Sequence, residues 1–475
     1  MNYGQFLNMV PEASLVAILI ILFFADFALS KSEKKHPVLR CLTHTLLLLQ
    51  LVPCVLAEPT SVFGGLYVST AAANAMKLIL TGGTLIVAIM AQAWLKAASR
   101  YEGEFYMLLV STLLGMYVMT SSGHFLMFFL GLEMASVPMA CLVAMDKWKK
   151  DSAEAGAKYI LTATFSSAIM LYGISFIYGA CGTLYFDDVA AKLSITPMTI
   201  AGLVFFFAGL GFKLSLVPFH FWTADTYQGA PTTVTAYLSV VSKGAAAFAL
   251  CAILMKVFAP MIAQWEILLY VVIVLSITIA NLFAMRQSEL KRFMAFSSIS
   301  QAGYIMLAVI GNSTMGVASL MFYTLVYVAA NLAVFAVINV VEQNNGGNTD
   351  RSALTGFYET NPRLSLLMTL ALFSLAGIPP FAGMFSKFFV FMAAAQQGSV
   401  WAYVVVFIAL VNTVPSLYYY LLIVKEMYIK KTASPLPTFE SDTATKLALA
   451  ICTVGIVLFG VWSGIYEWLT SVSAM

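Results

Sequence analysis

Residues 362–394 read PRLSLLMTLALFSLAGIPPFAGMFSKFFVFMAA, an apolar run whose charges are Arg363 near its start and Lys387 near its end. As one straight α-helix it would reach about 50 Å, against about 30 Å for the hydrocarbon core of a bilayer. In its middle, Ala376-Gly377-Ile378-Pro379-Pro380 removes two backbone donors in succession and blocks helix continuation. The stretch therefore predicts a broken membrane-spanning helix with a lysine just beyond the break. Such a break frees carbonyls that water or a cationic side chain can engage.

The rest of the chain has the same character. Of its 475 residues, 61% are hydrophobic and 10% are charged. Soluble globular chains run nearer 45–50% apolar and about 25% charged. That composition excludes a soluble fold, a disordered chain and a disulfide-rich secreted domain. A net charge of +3 gives no argument for a nucleic-acid partner. The six cysteines (Cys41, Cys54, Cys141, Cys181, Cys251 and Cys452) include no CxxC pair and read as small apolar side chains, without the spacing an iron–sulfur cluster needs. No glycine-rich phosphate cradle is visible. Met1 to Ala13 carries no basic residue, so the first apolar stretch is expected to be a retained span.

Fourteen apolar segments follow one another: 10–30, 37–57, 70–95, 104–121, 123–145, 155–180, 196–222, 231–257, 262–285, 291–311, 315–341, 362–394, 400–425 and 445–469. Most are too long for barrel strands and none alternates with period two. The predicted fold class is all-α, a polytopic bundle in which each helix satisfies its own amides. Basic residues orient it. The connections after spans 1, 3, 5, 9, 11 and 13 hold eighteen lysines and arginines, among them Lys31, Lys34, Lys35, Arg40, Lys96, Arg100, Lys147, Arg286, Lys425 and Lys446. The opposite side holds Lys192 and Lys256. By the positive-inside rule both termini should lie outside.

Five lysines fall within spans: Lys77, Lys158, Lys213, Lys243 and Lys387. Lys77 and Lys158 sit within two turns of a span end and are expected to snorkel to the interface. Lys213, Lys243 and Lys387 are deeper, where a lysine costs about 2.5–3.5 kcal/mol on insertion scales. Glu133 is also mid-span. Span 7 resembles span 12, because Gly209, Gly211 and Pro218 surround Lys213. The two interrupted spans lie five apart, an odd number, so repeats built from spans 4–8 and 9–13 would be inverted, as in transporters with broken helices around an ion site. This divides the chain into 1–103 (spans 1–3), 104–257, 258–425 and 426–475 (a loop and span 14).

Several runs are specific. They are Gly131-Leu132-Glu133-Met134-Ala135-Ser136, then Phe212-Lys213-Leu214-Ser215-Leu216-Val217-Pro218-Phe219-His220-Phe221-Trp222 followed by Asp225-Thr226-Tyr227-Gln228-Gly229-Ala230-Pro231-Thr232, then Leu238-Ser239-Val240-Val241-Ser242-Lys243-Gly244-Ala245-Ala246, and Leu290-Lys291-Arg292-Phe293-Met294-Ala295-Phe296-Ser297-Ser298-Ile299. Together they resemble the antiporter-like proton-pumping subunits of respiratory complex I, the bacterial NADH-quinone oxidoreductase, over nearly the whole chain. The lysine–proline–histidine run and the serine–lysine run favour the N-type members over the L and M types. The chain also stops six residues after span 14, where L-type subunits continue into a lateral helix. It departs from the family at Ala224-Asp225, where a proline usually precedes the aspartate, and in the loop from Asn348 to Pro362.

The resemblance implies a fourteen-helix subunit of the membrane arm with one proton path, in a bacterial cytoplasmic (inner) membrane. It implies that Glu133 pairs with Lys213, that Lys243 is a central relay and that Lys387 faces the outlet, with Lys158 matching a family lysine on span 6. It implies K-like and M-like neighbours, and quinone, FMN and iron–sulfur chemistry in other subunits, with no cofactor in this chain. The chemistry is consistent with those positions. A lysine taken out of water loses the hydration that favours its charged form, so it can accept and release a proton where arginine stays charged. A nearby Glu133 would raise the proton affinity of Lys213, and the two would titrate as a unit. Ser215, Ser239, Ser242, Ser297, Tyr327 and Asn331 are candidates to hold water between the charges. His220, at the end of span 7, is either an aid to proton uptake or a packing histidine. Asp26 reads as an interface residue, and His124 is given no role. Two rival readings stand beside this one: a subunit of a multi-subunit sodium/proton antiporter, and a membrane scaffold whose buried charges only lock helix packing.

Overall fold

The computed structural model describes residues 3–32, 35–97, 101–432 and 435–474. Lys34 and Arg100, two of the orienting basic residues, lie outside the described residues. Among the described residues, thirteen helices are long and apolar enough to cross a membrane. Spans 1 to 6 are Val10–Ala28, Lys35–Leu56, Ala71–Lys96, Glu102–Thr120, Phe125–Val143 and Lys150–Cys181. Spans 7 to 11 are Pro197–Leu214, Thr232–Lys256, Ala259–Ala284, Leu290–Ile310 and Thr314–Asn344. Spans 13 and 14 are Val400–Tyr428 and Thr443–Val461. Span 12 is the broken one, made of Pro362–Ala376 and Ala382–Ala395. The chain is a multi-pass, predominantly helical membrane protein, and the fourteen segments expected from hydropathy are all present.

Polar residues at the helix starts fix several ends. Thr196 and Thr199 form a reciprocal capping box at span 7, with Pro197 in the first turn. Ser313, Ser399 and Asp442 accept amide hydrogens at the starts of spans 11, 13 and 14. A short antiparallel hairpin, Thr60–Val62 paired with Tyr67–Ser69, joins spans 2 and 3. Hydropathy did not signal it, because six residues of strand carry too little pattern.

The spans are not equally enclosed. Within the most apolar stretch of each helix, the chain buries all of span 10, 94% of span 11 and 89% of span 8, but 28% of spans 1, 2 and 13. Spans 8, 10 and 11 are therefore the core, and the outer helices leave most of their apolar surface uncovered by the chain. Spans 4 and 5 pack at glycine distance. A Cβ on Gly115 would stand 2.3 Å from the Ala135 amide nitrogen, and one on Gly131 would stand 2.5 Å from that of Met119. This is the small-residue packing that lets membrane helices approach where lipid supplies no hydrophobic drive.

The expectation that Lys77 snorkels is wrong. Its side chain is wholly buried, and Nζ lies 2.8 Å from a carboxylate oxygen of Glu12 on span 1. Nζ also donates to Tyr67 Oη (3.1 Å) and Ser69 Oγ (3.2 Å) of the hairpin, while Tyr67 donates to Glu12 (2.8 Å). The hairpin closes over the end of span 3, so an interface position in the sequence becomes an interior one. Lys158 does reach the surface, as expected, where it pairs with Glu154 and Asp225, each at 2.7 Å. Asp26 pairs with Lys35 at 3.0 Å.

Two substitutions test this packing. Gly115→Leu should force spans 4 and 5 apart and lower the amount of chain recovered in membranes several-fold, measured by immunoblot. Glu12→Gln should leave the Lys77 ammonium buried without its counter-charge, at a cost of about 3–5 kcal/mol. Its thermal unfolding midpoint in detergent should drop clearly, whereas the double change Glu12→Gln, Lys77→Met should recover much of the loss.

Candidate functional site: a buried chain of lysines and hydroxyls

Lys213 lies at the last turn of span 7, and the helix stops directly after it. Gly209 and Gly211 stay helical, and the break begins at Ser215, which adopts a left-handed conformation (φ 61°). The Ser215 amide then donates to Phe212 O and the Leu216 amide to Gly211 O, each at 2.9 Å. Span 12 ends the same way. Gly377 is left-handed (φ 88°), its amide reaches Phe373 O and Ser374 O, and the Ile378 amide reaches Phe373 O at 3.0 Å. The two lysines lie on opposite sides of their breaks, Lys213 before and Lys387 after.

Each break exposes backbone groups that other residues then occupy. Lys387 Nζ donates to Ala376 O at 2.8 Å, across its own break. Trp222 Nε1 donates to Phe212 O at 3.1 Å. The Val217 amide donates to Ser276 Oγ of span 9 at 2.9 Å. Gly383 packs so closely on the first half of span 12 that a Cβ there would meet Ser374 O at 1.6 Å.

Lys213 is 4% exposed. Its Nζ donates to Ser136 Oγ at 2.9 Å and Tyr159 Oη at 3.1 Å. Glu133 is half-buried one turn before Ser136 on span 5, and accepts a hydrogen bond from Ser167 Oγ of span 6. Glu133 and Lys213 make no direct ion pair within 4.0 Å; each instead holds a serine, Ser167 and Ser136. Beside Lys213 lies a small cavity of about 10 Å³, room for one water, lined also by Ser136, Ser166 and Ser167.

Lys243 follows a π-helical turn, Leu238–Ser242, in span 8. Its Nζ donates to Ser298 Oγ of span 10 at 2.6 Å and sits 5.4 Å from the Tyr227 ring centre. On span 10 the polar sequence continues. Ser297 hydrogen-bonds Tyr420 of span 13 at 2.5 Å, Gln301 donates to Tyr420 Oη at 3.1 Å, and Tyr323 of span 11 donates to Gln301. Gln301, Tyr323, Tyr327 and Lys387 then line a second cavity of about 10 Å³. Asn331 of span 11 donates to Ser239 Oγ at 2.6 Å. Among the described residues no carboxylate comes within 4.0 Å of Lys243 or Lys387.

Four buried polar atoms along this line have no protein partner: Ser215 Oγ, Ser242 Oγ, Tyr327 Oη and Asn331 Oδ1. An unpaired buried polar atom costs about 1–3 kcal/mol, and proteins meet that cost with internal water. All four belong to the set expected to hold water. Ser239 and Ser297 instead bond protein groups directly. Ser136, Tyr159, Ser167, Gln301, Tyr323 and Tyr420 were missed. Ser136 had a signal, since it stands three residues from Glu133 on one helix face. The tyrosines had none, because their neighbours come from helices far away in sequence.

At the basic end, Asp225 on the short helix Phe221–Gly229 is held by Lys158 at 2.7 Å and Arg292 at 2.6 Å. Partial burial opposes its charge, but hydrogen bonds from Lys158 and Arg292 outweigh it and hold the carboxyl below its usual range. These ion pairs are therefore intact at neutral pH and are lost as pH falls through that lowered value. Lys158 contacts none of the other three lysines, so it belongs to this surface triad. Burial lowers the His220 imidazole, which also has a buried, unpartnered Nδ1. Lys291 is a further buried cation here, paired with Glu342 at 3.2 Å.

Residues 122–413 match the family described as NADH:quinone oxidoreductase/Mrp antiporter, TM. The NADH-quinone oxidoreductase subunit N of Phocaeicola vulgatus is 58% identical over the full length of both chains. That of Azobacteroides pseudotrichonymphae is 48% identical over all of this chain and 99% of the relative. A chain of respiratory complex I from Thermus thermophilus superposes with a TM-score of 0.80 at 30% identity, covering 96% of this chain and 97% of its own. A chain of the Mrp complex from Dietzia sp. reaches 0.84 over all of this chain and 97% of its own, at 20% identity, a likeness of fold. With a family match over most of the chain and full-length relatives of one kind, the chain belongs to the antiporter-like membrane subunits of NADH-quinone oxidoreductase, in the subunit N branch.

Proposed function

We propose that this chain carries protons across a bacterial cytoplasmic membrane as a membrane-arm subunit of an NADH-quinone oxidoreductase. One observation carries the reading: three buried ammonium groups without counter-ions in direct contact stand on spans 7, 8 and 12, among hydroxyls, an amide and water-sized cavities. In this reading Glu133 and Lys213 form the first station, with Ser167 on Glu133 and Ser136 on Lys213. Lys243 is the central relay. Ser298, Ser297, Tyr420, Gln301 and Tyr323 lead from it toward Lys387 at the far end.

The physical logic favours transfer over fastening. A fixed ion pair would place a carboxylate against each lysine, as Glu12 does for Lys77. Lys213, Lys243 and Lys387 have hydroxyls or a carbonyl instead. Those partners accept a hydrogen bond from an ammonium, and hydroxyls also donate to a neutral amine, so either protonation state is accommodated. Moving one charge against 100 mV costs about 2.3 kcal/mol, so this chain needs a driving reaction in partner subunits. Flavin, iron–sulfur and quinone chemistry belong to those partners, and K-like and M-like membrane subunits are its neighbours. The matching left-handed ends of spans 7 and 12 support inverted repeats of spans 4–8 and 9–13, with domains at 1–103, 104–257, 258–425 and 426–475. The crowding of basic residues at one end supports termini on the outer face. Lys158 and His220 stand at the inner end as accessory groups for proton uptake.

The test is proton pumping by membranes containing the assembled complex, driven by quinone reduction and read with a ΔpH-sensitive dye. Lys243→Met should leave the complex assembled and lower pumping about tenfold or more, for which 1.4 kcal/mol suffices. Lys243→Arg, which keeps a charge but cannot release its proton, should be equally impaired. Normal pumping in either variant would falsify the relay. Sodium/proton exchange without quinone reduction would instead favour the antiporter reading. Tyr420→Phe removes the hydroxyl joining Ser297 and Gln301 but keeps the ring. It should cost about 1 kcal/mol, roughly a fivefold loss of pumping rate, without loss of assembled complex.

A further inference from the structure

Between the start of span 12 and the flank of span 14 runs a groove of about 720 Å³ that the proton path does not use. Its walls are apolar, formed by Leu364 and Leu367 of span 12 and Leu449, Ala450 and Val454 of span 14. Its mouth opens at the end of the bundle where the basic loop residues gather. Arg363 and Lys446 stand there, both exposed, and among the described residues neither has a carboxylate within 4.0 Å. Glu440 also lines the mouth, giving two cations against one carboxylate.

The mouth is built. Asn361 is 5% exposed; its Nδ2 donates to Pro437 O at 3.0 Å, and its Oδ1 accepts from the Phe439 amide at 2.8 Å. Thr438 Oγ1 donates to Thr360 O at 3.2 Å, and the Phe357 and Phe439 rings meet at 5.9 Å. These contacts pin the segment before span 14 across the start of span 12. That start is a helix N-terminus, whose first amides have no intrahelical acceptor and favour an anion.

We propose that this groove seats one anionic phospholipid, its acyl chain along the apolar walls and its phosphate between Arg363, Lys446 and the first turn of span 12. The order of polarity is that of a lipid. Cations sit at headgroup level, hydrocarbon walls run inward, and an arginine suits phosphate geometry. A second groove of about 510 Å³ opens on the opposite flank of span 14, lined by His44, Leu48, Leu85, Leu447 and Ile451. No lysine or arginine lines it, and the nearby Lys96 is paired with Asp442 at 3.7 Å. It serves as an internal control that should hold lipid without regard to headgroup charge. A phospholipid across spans 12 and 14 would tie the first half of the broken helix to the edge of the bundle.

The test uses the full chain in nonionic detergent, with dioleoyl phosphatidylglycerol or dioleoyl phosphatidylcholine added at equal concentration and bound lipid counted by native mass spectrometry. One phosphatidylglycerol should bind about tenfold more tightly than phosphatidylcholine, the scale two surface cations supply. Arg363→Gln with Lys446→Gln should abolish that preference and leave phosphatidylcholine binding unchanged, while Glu440→Gln should strengthen it. Thr453→Trp, which fills the groove from its wall without touching the mouth, should remove one bound lipid even if the double variant fails to fold. Equal retention of the two lipids overturns the proposal, as does a preference that survives the double variant. So does an Ala450→Cys cross-link, in the whole complex, to another polypeptide instead of a lipid.

Discussion

An ammonium group inside a slab of hydrocarbon must be solvated by something the protein supplies. A continuous helix cannot do it, because its carbonyls are already taken by its own amides. The chain meets this need by interrupting two helices beside lysines. At span 12 the ammonium of Lys387 takes the carbonyl of Ala376 that the break has released. At span 7 the break spreads the supply among several groups. Trp222 is a second donor to the Phe212 carbonyl, Ser276 takes a freed amide, and Ser136 and Tyr159 receive Lys213 itself. Lys243 has no full break, and the π-helical turn before it belongs to the kind of local irregularity that membrane helices use at working positions.

The same constraint explains why the innermost helices are also the polar ones. Spans 8, 10 and 11 are those most completely enclosed by the chain, and they carry Ser239, Ser242, Lys243, Ser297, Ser298, Gln301, Tyr323, Tyr327 and Asn331. Facing lipid, each would be an uncompensated polar group. Sealed behind spans 1, 2, 6, 13 and 14, they compensate one another, and the remainder is left to water. The outer helices separate these polar residues from lipid.

Lys77 shows how far burial alone is from function. It is as enclosed as Lys213, Lys243 and Lys387, yet Glu12, Tyr67, Ser69 and Asn74 surround it, one of them a carboxylate in direct contact. The contrast lies in the partner. A carboxylate in contact supplies a counter-charge to the amine, whereas hydroxyls and carbonyls supply only hydrogen-bond acceptors. Glu133, which contacts Ser167 and among the described residues has no lysine within 4.0 Å, is intermediate between these cases.

Much of this was legible in the sequence. Hydropathy and length determined fourteen spans, because a bilayer sets a fixed length and admits only helices or closed barrels. The two prolines at 379 and 380 determined the break in span 12, and the rarity of charge in oil singled out Glu133, Lys213, Lys243 and Lys387. What the tertiary structure decided was which groups answer those charges. That Lys77 is interior depends on a hairpin folding over it. That Lys213 meets Ser136 and Tyr159, and not Glu133 directly, depends on how spans 5, 6 and 7 rotate about one another. The link from Ser297 through Tyr420 to Gln301 joins residues 123 and 119 positions apart. Side-chain periodicity reports the face of a helix but not its neighbour, so contacts between distant spans become visible only when the helices are packed.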